Sequence, residues 1–201
     1  MIDEDARIIG IIGAGAKGRQ IAVCALLGGY RVILADISSS ILAEAEGQIT
    51  TALAAEVARE KVVRPGKQKL AANLSTTQSM SEVSRGADLL IEAVPEDAES
   101  QLEIFTIFDK FAKPAAILAS TALSVSIADL AEMTNCPERC AGLQFPDPPP
   151  DDQSLRILRA PNTSDCTMQF CAYFARKIGF EPRLMREAVI SITVAPGTQT
   201  P

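Results

Sequence analysis

The chain has 201 residues, enough for one well-buried core or for one domain with an appendage. Hydrophobic residues make up 47% and charged residues 22%, an ordinary globular balance, and no apolar stretch reaches the roughly 18 residues a membrane-spanning helix needs. A net charge of −6, with acids and bases interspersed, excludes the basic face expected of a nucleic-acid binder.

Arg7 to Asp36 reads as an apolar β-like run, three glycines, an amphipathic helix and a second apolar run ending in an acid. Ser38 to Val63 is rich in Ala, Glu and Leu behind a Ser start and predicts a long helix, broken by Arg64, Pro65 and Gly66. Lys67 to Leu74 predicts a short helix or loop, followed by a brief strand near Leu74 to Thr76. Ala87 to Val94 is an apolar run of strand length stopped by Pro95, hence a buried parallel strand. Leu102, Phe105, Phe108 and Phe111 recur at helical spacing and mark the core face of a helix ending at Lys113 and Pro114. Ala116 to Ser120 is the next strand, and Ser126 with Asp129 caps a short helix. Cys140 to Phe145 and Leu155 to Arg159 predict two further strands joined by a proline-dense turn, and Thr163 to Ile178 a last helix ended by Gly179. Strand and helix alternate throughout, which predicts an α/β fold: a doubly wound, mostly parallel sheet. Tyr30 falls at the amino-terminal edge of this sheet, and Tyr173 falls on the last helix, packed on the sheet.

The five cysteines (Cys24, Cys136, Cys140, Cys166 and Cys171) lack CxxC spacing and read as the reduced thiols of a cytoplasmic protein. Without histidine, Cys136 and Cys140 have no further ligands for a metal. The acidic start MIDEDARIIG enters a strand at once, unlike a signal peptide. The tail TVAPGTQTP reads as disordered.

The three glycines of the first turn are Gly13, Gly15 and Gly18, spaced as in the dinucleotide-binding fingerprint. In that fingerprint the first glycine permits the tight turn, the second lets a pyrophosphate approach the backbone, and the third lets the helix pack on the sheet. The helix's amino-terminal N–H groups and positive dipole end hold the phosphates. Asp36 sits where a carboxylate accepts from the adenosine ribose. It favours NAD over NADP, because it repels a 2′-phosphate and no arginine follows it. Strand, helix, strand and acid in order separate this pattern from a merely tight βα loop. Lys17 opens the phosphate-binding helix, either as a phosphate or carboxylate contact or as a solvent-exposed lysine.

IIGAGAKG, Asp36, ADLLIEAVPED (Ala87 to Asp97), AKPAAILAS (Ala112 to Ser120) and CPERCAGLQFPDPPP (Cys136 to Pro150) together resemble the NAD-binding domain of the 3-hydroxyacyl-CoA dehydrogenases, from about Arg7 to about Glu187. The resemblance implies a Rossmann domain over residues 1–187 and a tail over 188–201. It also implies NAD as cofactor, bound by Gly13, Gly15, Lys17, Gly18, Asp36, Glu96 and Ser120. The implied substrate is an acyl thioester, on CoA or on an acyl carrier protein, with hydride transfer at the 3-hydroxyl carbon.

The departures fall on the polar catalytic positions that the resemblance carries over. Where the family has a catalytic His in GLHFFNP, this chain reads GLQFPDP, with Gln144 at the His position and Asp147 at the Asn position. The family's Glu, which orients that His, falls at Arg156. Its substrate-binding Ser falls at Leu123, and its Asn at the entry to the second domain near Val194. Oxidising an alcohol by hydride loss needs a base for the hydroxyl proton, and His titrates in the right range without tuning. Gln144 does not titrate, and Arg156 stays charged at any accessible pH. Asp147 is either a replacement base near the crevice, part of a solvated turn, or an ion-pair partner of Arg156.

The family's helical second domain, which completes the acyl-CoA cleft, is expected to be missing, because this sequence stops where that domain would begin. The last run, AVISITV (Ala188 to Val194), alternates β-branched residues and suits a strand added to a sheet edge, in a homodimer or with a protein partner. Two expectations follow. One is an NAD-binding pseudoenzyme, or a pocket reused for non-redox chemistry. The other is an NAD-dependent oxidoreductase of a 3-hydroxyacyl thioester with a replacement proton-transfer group.

Overall fold

The computed structural model of the chain describes residues 8–59, 70–146 and 153–187. Its elements run β1 (Ile8–Ile12), α1 (Ala16–Leu27), β2 (Arg31–Ala35), α2 (Ser39–Arg59), β3 (Leu74–Thr77), α3 (Met80–Gly86), β4 (Leu89–Glu92), α4 (Ala98–Phe111), β5 (Ile117–Ser120), α5 (Ile127–Glu132), β6 (Cys140–Gln144), β7 (Ser154–Arg159), α6 (Asp165–Lys177) and β8 (Glu181–Arg186). The strands form one sheet in the order β3-β2-β1-β4-β5-β6-β7-β8. All neighbours are parallel except β6 and β7. As expected of two strands joined without a helix, β6 and β7 follow one another with no helix between them among the described residues, and they make the one antiparallel pair of a mostly parallel sheet.

The central strands are buried on both faces, so their sequences read as continuous apolar runs. Leu89 and Ile91 of β4 join the cluster under α1, α2 and α6, with Ile9, Ile11, Leu34, Ile49 and Phe174. Leu90 joins the opposite cluster under α3, α4 and α5, with Ile12, Phe105, Phe108, Leu118 and Ile127. Phe105 and Phe108, rings 5.5 Å apart, are the centre of the predicted phenylalanine stripe and are fully buried. Truncating either to Ala costs about 3–5 kcal/mol.

Three details differ from the sequence expectations, and one further expectation lies partly outside the described residues. The helix expected over 38–63 is described from Ser39 to Arg59, and residues 60–69 lie outside the described part. The short helix α3 was not anticipated, although Ser79 caps it by accepting from Glu82 N. Neither was β8, which pairs in parallel with β7 at the edge of the sheet. Tyr30 is buried just before β2, where burial pushes its phenol pKa up. Tyr173 does not pack on the sheet but is exposed, because Phe170, Cys171 and Phe174 take the inner face of α6 and turn position 173 outward. All five cysteines are thiols; burial pushes Cys140 and Cys171 to about 12 and Cys24 to about 11, which leaves them protonated and inert.

Candidate functional site

The parallel strands β1, β4, β5 and β6 end on one edge of the sheet, and the loops beyond those ends form the crevice where ligands of doubly wound folds bind. Its first wall is the glycine turn between β1 and α1. Gly13 has φ +107°, and a Cβ there would sit 2.5 Å from Ala93 O. A Cβ on Gly18 would lie 1.8 Å from Gly13 O, so both glycines are demanded by close backbone packing. Gly15 is different: a Cβ there would meet nothing within 4 Å. It borders open space, at the start of a helix whose first amides receive no side-chain cap.

Asp36, just beyond β2, folds its carboxylate back onto this turn. Oδ2 accepts from Ala14 N at 2.9 Å and Oδ1 from Ser38 N at 3.0 Å. A carboxylate offers about four acceptor positions, so two remain for other donors. Open space over Gly15, uncapped amides and an adjacent carboxylate together suit a pyrophosphate and an adenosine ribose.

The second wall is built by the ends of β4 and β5. Glu92, at the end of β4, is fully buried and accepts from Ser120 Oγ at 2.5 Å and from Val94 N at 2.8 Å. Burial pushes its carboxyl pKa up against these two hydrogen bonds; the charge of Glu96 adds to the rise and that of Lys17 opposes it. Ser120 is also buried, and its Oγ accepts from Ala122 N at 2.9 Å, so it joins the two strands rather than facing the crevice. Glu92 escaped the sequence reading; an acid inside the apolar run ADLLIEAV was its signal, because such a group needs partners.

Glu96 reaches across to the loop after β5, accepting from Leu123 N at 3.1 Å, Ser124 N at 3.2 Å and Ser124 Oγ at 2.7 Å. Partial burial acts to raise its pKa, but these hydrogen bonds and the ammonium of Lys17 outweigh it and bring the carboxyl below its ordinary value. Lys17 extends from the first turn of α1 to Thr121 O, 3.5 Å away. Of the two readings of this lysine, the structure favours a group turned into the crevice. One turn further on, Gln20 Nε2 donates to Pro146 O at 3.4 Å, so the same side of α1 overlooks the end of β6.

At that end of the sheet the antiparallel register places Gln144 directly opposite Arg156. Leu143, Leu155 and Ile157 turn into the core under α6, so Gln144 and Arg156 belong to the other face. On that face Ile127 of α5 and Leu158 of β7 close over Gly142. Arg156 is exposed, and among the described residues neither its side chain nor that of Gln144 has a hydrogen-bonding or ionic partner. Leu123 is 69% exposed, and its backbone N–H donates to Glu96. Asp147 and Val194 lie outside the described residues. The structure thus brings Gly13, Gly15, Gly18, Lys17 and Asp36 together at one wall, Glu96, Ser120 and Leu123 at the next, and Gln144 with Arg156 at the third.

The parallel sheet with a glycine turn at its first crossover and an acid at the end of β2 defines a Rossmann dinucleotide-binding domain. The family "3-hydroxyacyl-CoA dehydrogenase, NAD binding domain" matches residues 8–188, and the chain belongs to it. Its cofactor is NAD. The chain is 33% identical over 171 residues to the 3-hydroxybutyryl-CoA dehydrogenase of Bradyrhizobium diazoefficiens, covering 85% of this chain and 58% of that protein. It is 32% identical over 178 residues to the mitochondrial hydroxyacyl-coenzyme A dehydrogenase of Sus scrofa, covering 86% and 56%. Among solved structures it is similar to the (S)-3-hydroxybutyryl-CoA dehydrogenase PaaH1 of Ralstonia eutropha, with TM-score 0.84, 26% identity and coverage of 92% of this chain and 65% of that one. The chain therefore spans little more than half the length of the curated relatives it matches. No helix among the described residues is long and apolar enough to cross a membrane.

Proposed function

We propose that the chain is an NAD-binding member of its family without ordinary dehydrogenase activity, either a pseudoenzyme or a pocket reused for non-redox chemistry. The observation that carries this reading is the register pairing of Gln144 with Arg156 at the crevice end of β6. The family's proton-transfer His and its orienting Glu fall on these two positions. The glycine turn and Asp36 hold the cofactor, which supplies a hydride couple when bound. Gln144 can donate a hydrogen bond to a carbonyl oxygen but can neither deliver nor take its proton, and Arg156 holds its protons throughout. Loss of general acid–base help alone costs about 10²- to 10⁴-fold in rate.

A second reading, an oxidoreductase of 3-hydroxyacyl thioesters on CoA or on a carrier protein, is favoured by Lys17. Its ammonium lies 3.5 Å from Thr121 O, on the helix that also touches Pro146, where it can donate a hydrogen bond to a substrate oxygen. Asp147 or a bound water is the replacement proton-transfer group on this reading.

NADH absorbance followed with 3-hydroxybutyryl-CoA and its carrier-protein thioester separates the two. The first reading requires turnover at least about 10²-fold below that of an intact relative under the same conditions. Turnover of ordinary magnitude overturns it, and turnover abolished by Lys17→Met supports the second. Calorimetric titration with NADH tests the cofactor assignment independently.

A further inference from the structure

The loop of residues 121–126, between β5 and α5, closes the second wall of the crevice, and glutamates from elsewhere in the chain hold it. Glu92 reaches its start through Ser120 Oγ, which donates to that carboxylate and accepts from Ala122 N at 2.9 Å. Glu96 accepts from Leu123 N, Ser124 N and Ser124 Oγ in the middle. Glu187 holds the far end: its carboxylate accepts from Ile127 N at 2.5 Å and from Ala128 N at 3.1 Å, the first two amides of α5. Such amides have no partner inside their own helix, and Ser126 Oγ serves the third, Asp129 N.

Glu92 and Glu96 belong to the crevice itself; Glu187 does not. It stands at the end of β8, three strands from β5 in the sheet order, with its own N–H donating to Arg159 O at 2.9 Å. It meets α5 because that helix packs on β6, where the buried Ile127 side chain comes against Gly142. One carboxylate therefore ties the edge strand to the crevice. Hydrogen bonds to a carboxylate are the stronger kind, and with one amide on each oxygen the pair fixes where α5 begins.

We propose that Glu187 is a positioning residue for the NAD crevice: it holds the loop of residues 121–126 in the form the cofactor meets, so that the seating of β8 and the binding of NAD are one coupled equilibrium. This rests on the reading of the crevice as the NAD pocket, with Glu96 and its loop as a wall. Two arrangements exchange. In the closed one both amides sit on Glu187; in the open one they turn to water and the first turn of α5 frays. NAD binds the closed arrangement better, and by reciprocity the closed clamp raises the affinity for NAD by the factor by which NAD stabilises the clamp. A load on β8, or on the chain beyond residue 187, reaches the cofactor without touching it.

The test uses the full chain and NADH. Hydrogen exchange at the amides of Ile127 and Ala128, read by NMR on the wild type, should slow at least about fivefold with saturating NADH, beyond any slowing seen across α6; that factor is the lower end of ordinary coupling between sites. Calorimetry should show NADH bound at least about fivefold more weakly by Glu187→Ala. Glu187→Gln should fall between, because its amide oxygen still takes one of the two N–H groups. Titrations are made well below the Tm of each variant. A part played only in stability lowers Tm and leaves both readouts unmoved. Equal NADH affinity in the folded variants, or exchange at the two amides indifferent to NADH, overturns the proposal. The exchange measurement needs the wild type alone, so it decides the matter even where a variant does not fold. A wild type that binds no NADH overturns the pocket reading, and this proposal with it.

Discussion

Gly15→Ala separates the part of the glycine turn that serves the fold from the part that serves the ligand. Gly15 has φ −67° and ψ −175°, extended backbone that alanine adopts freely, and its added Cβ meets nothing within 4 Å. Two small terms act on stability. Alanine is a poorer helix N-cap than glycine, and it restricts the unfolded chain in compensation by about 0.4–1 kcal/mol. The net change should lie within about 1 kcal/mol, which for a chain of this size moves Tm by no more than about 2–4 °C. The same methyl projects into the space a pyrophosphate would occupy against the uncapped amides of α1, so NADH affinity should fall at least about tenfold, the effect of roughly 1.4 kcal/mol. Gly18→Ala is the contrasting control: a Cβ 1.8 Å from Gly13 O forces the backbone apart, at a cost of about 3 kcal/mol or more. Thermal melts and calorimetric NADH titrations of both variants check this. A Gly15→Ala protein that melts like the wild type and binds NADH equally well refutes the assignment of the open space to the cofactor.

Asp36→Ala should narrow the preference for NADH over NADPH in calorimetric titration; an unchanged ratio removes Asp36 from the selectivity. The same variant loses the acceptor of Ala14 N and Ser38 N and should be destabilised by about 1–2 kcal/mol. Glu92 gives a pH signature. Its folded pKa is raised above the unfolded value, so the native state holds the proton more tightly, and stability is lost as pH climbs from the unfolded value of about 4.5 through the folded one. Glu92→Gln does not ionise, so its Tm relative to wild type should rise between pH 5 and pH 8; parallel profiles refute this. Light scattering tests the assembly read from the sequence: a homodimer joined through 188–194, at the edge where Leu184 and Met185 are 58% and 46% exposed, should become monomeric when the chain is cut after Glu187. A monomer in the full chain removes the idea.

The glycine turn, β2 and its terminal acid were legible because each depends on local chemistry: a φ that only glycine tolerates, a short apolar run, a carboxylate at a fixed distance. The buried strands β4 and β5 were legible for the same reason, with apolar residues on both faces. β8 was not. Its sequence EPRLMR carries two arginines, a glutamate and a proline, and five of its six residues are exposed, so no apolar alternation marks it. It is a strand because β7 offers it a parallel ladder. α3 carried a usable sign in Ser79 and Glu82, three residues apart in capping-box spacing. In the site, substitutions at Gln144 and Arg156 could be read one by one, but their pairing is a matter of register, which tertiary structure sets. Glu92 belongs to the same class, since its partner Ser120 lies 28 positions away.

The two hydrogen bonds from Ile127 N and Ala128 N to Glu187 link residues about 60 positions apart, and this orders events during synthesis. A nascent chain emerges from its amino terminus, so the first turn of α5 exists long before the carboxylate that receives its amides. Until residue 187 has left the ribosome, those amides rely on Ser126 and water. The loop of residues 121–126, which carries Glu96's partners and follows Ser120, leads straight into that helix. Closure of the second crevice wall therefore waits for residue 187 to emerge, and no ligand meets that wall finished before then.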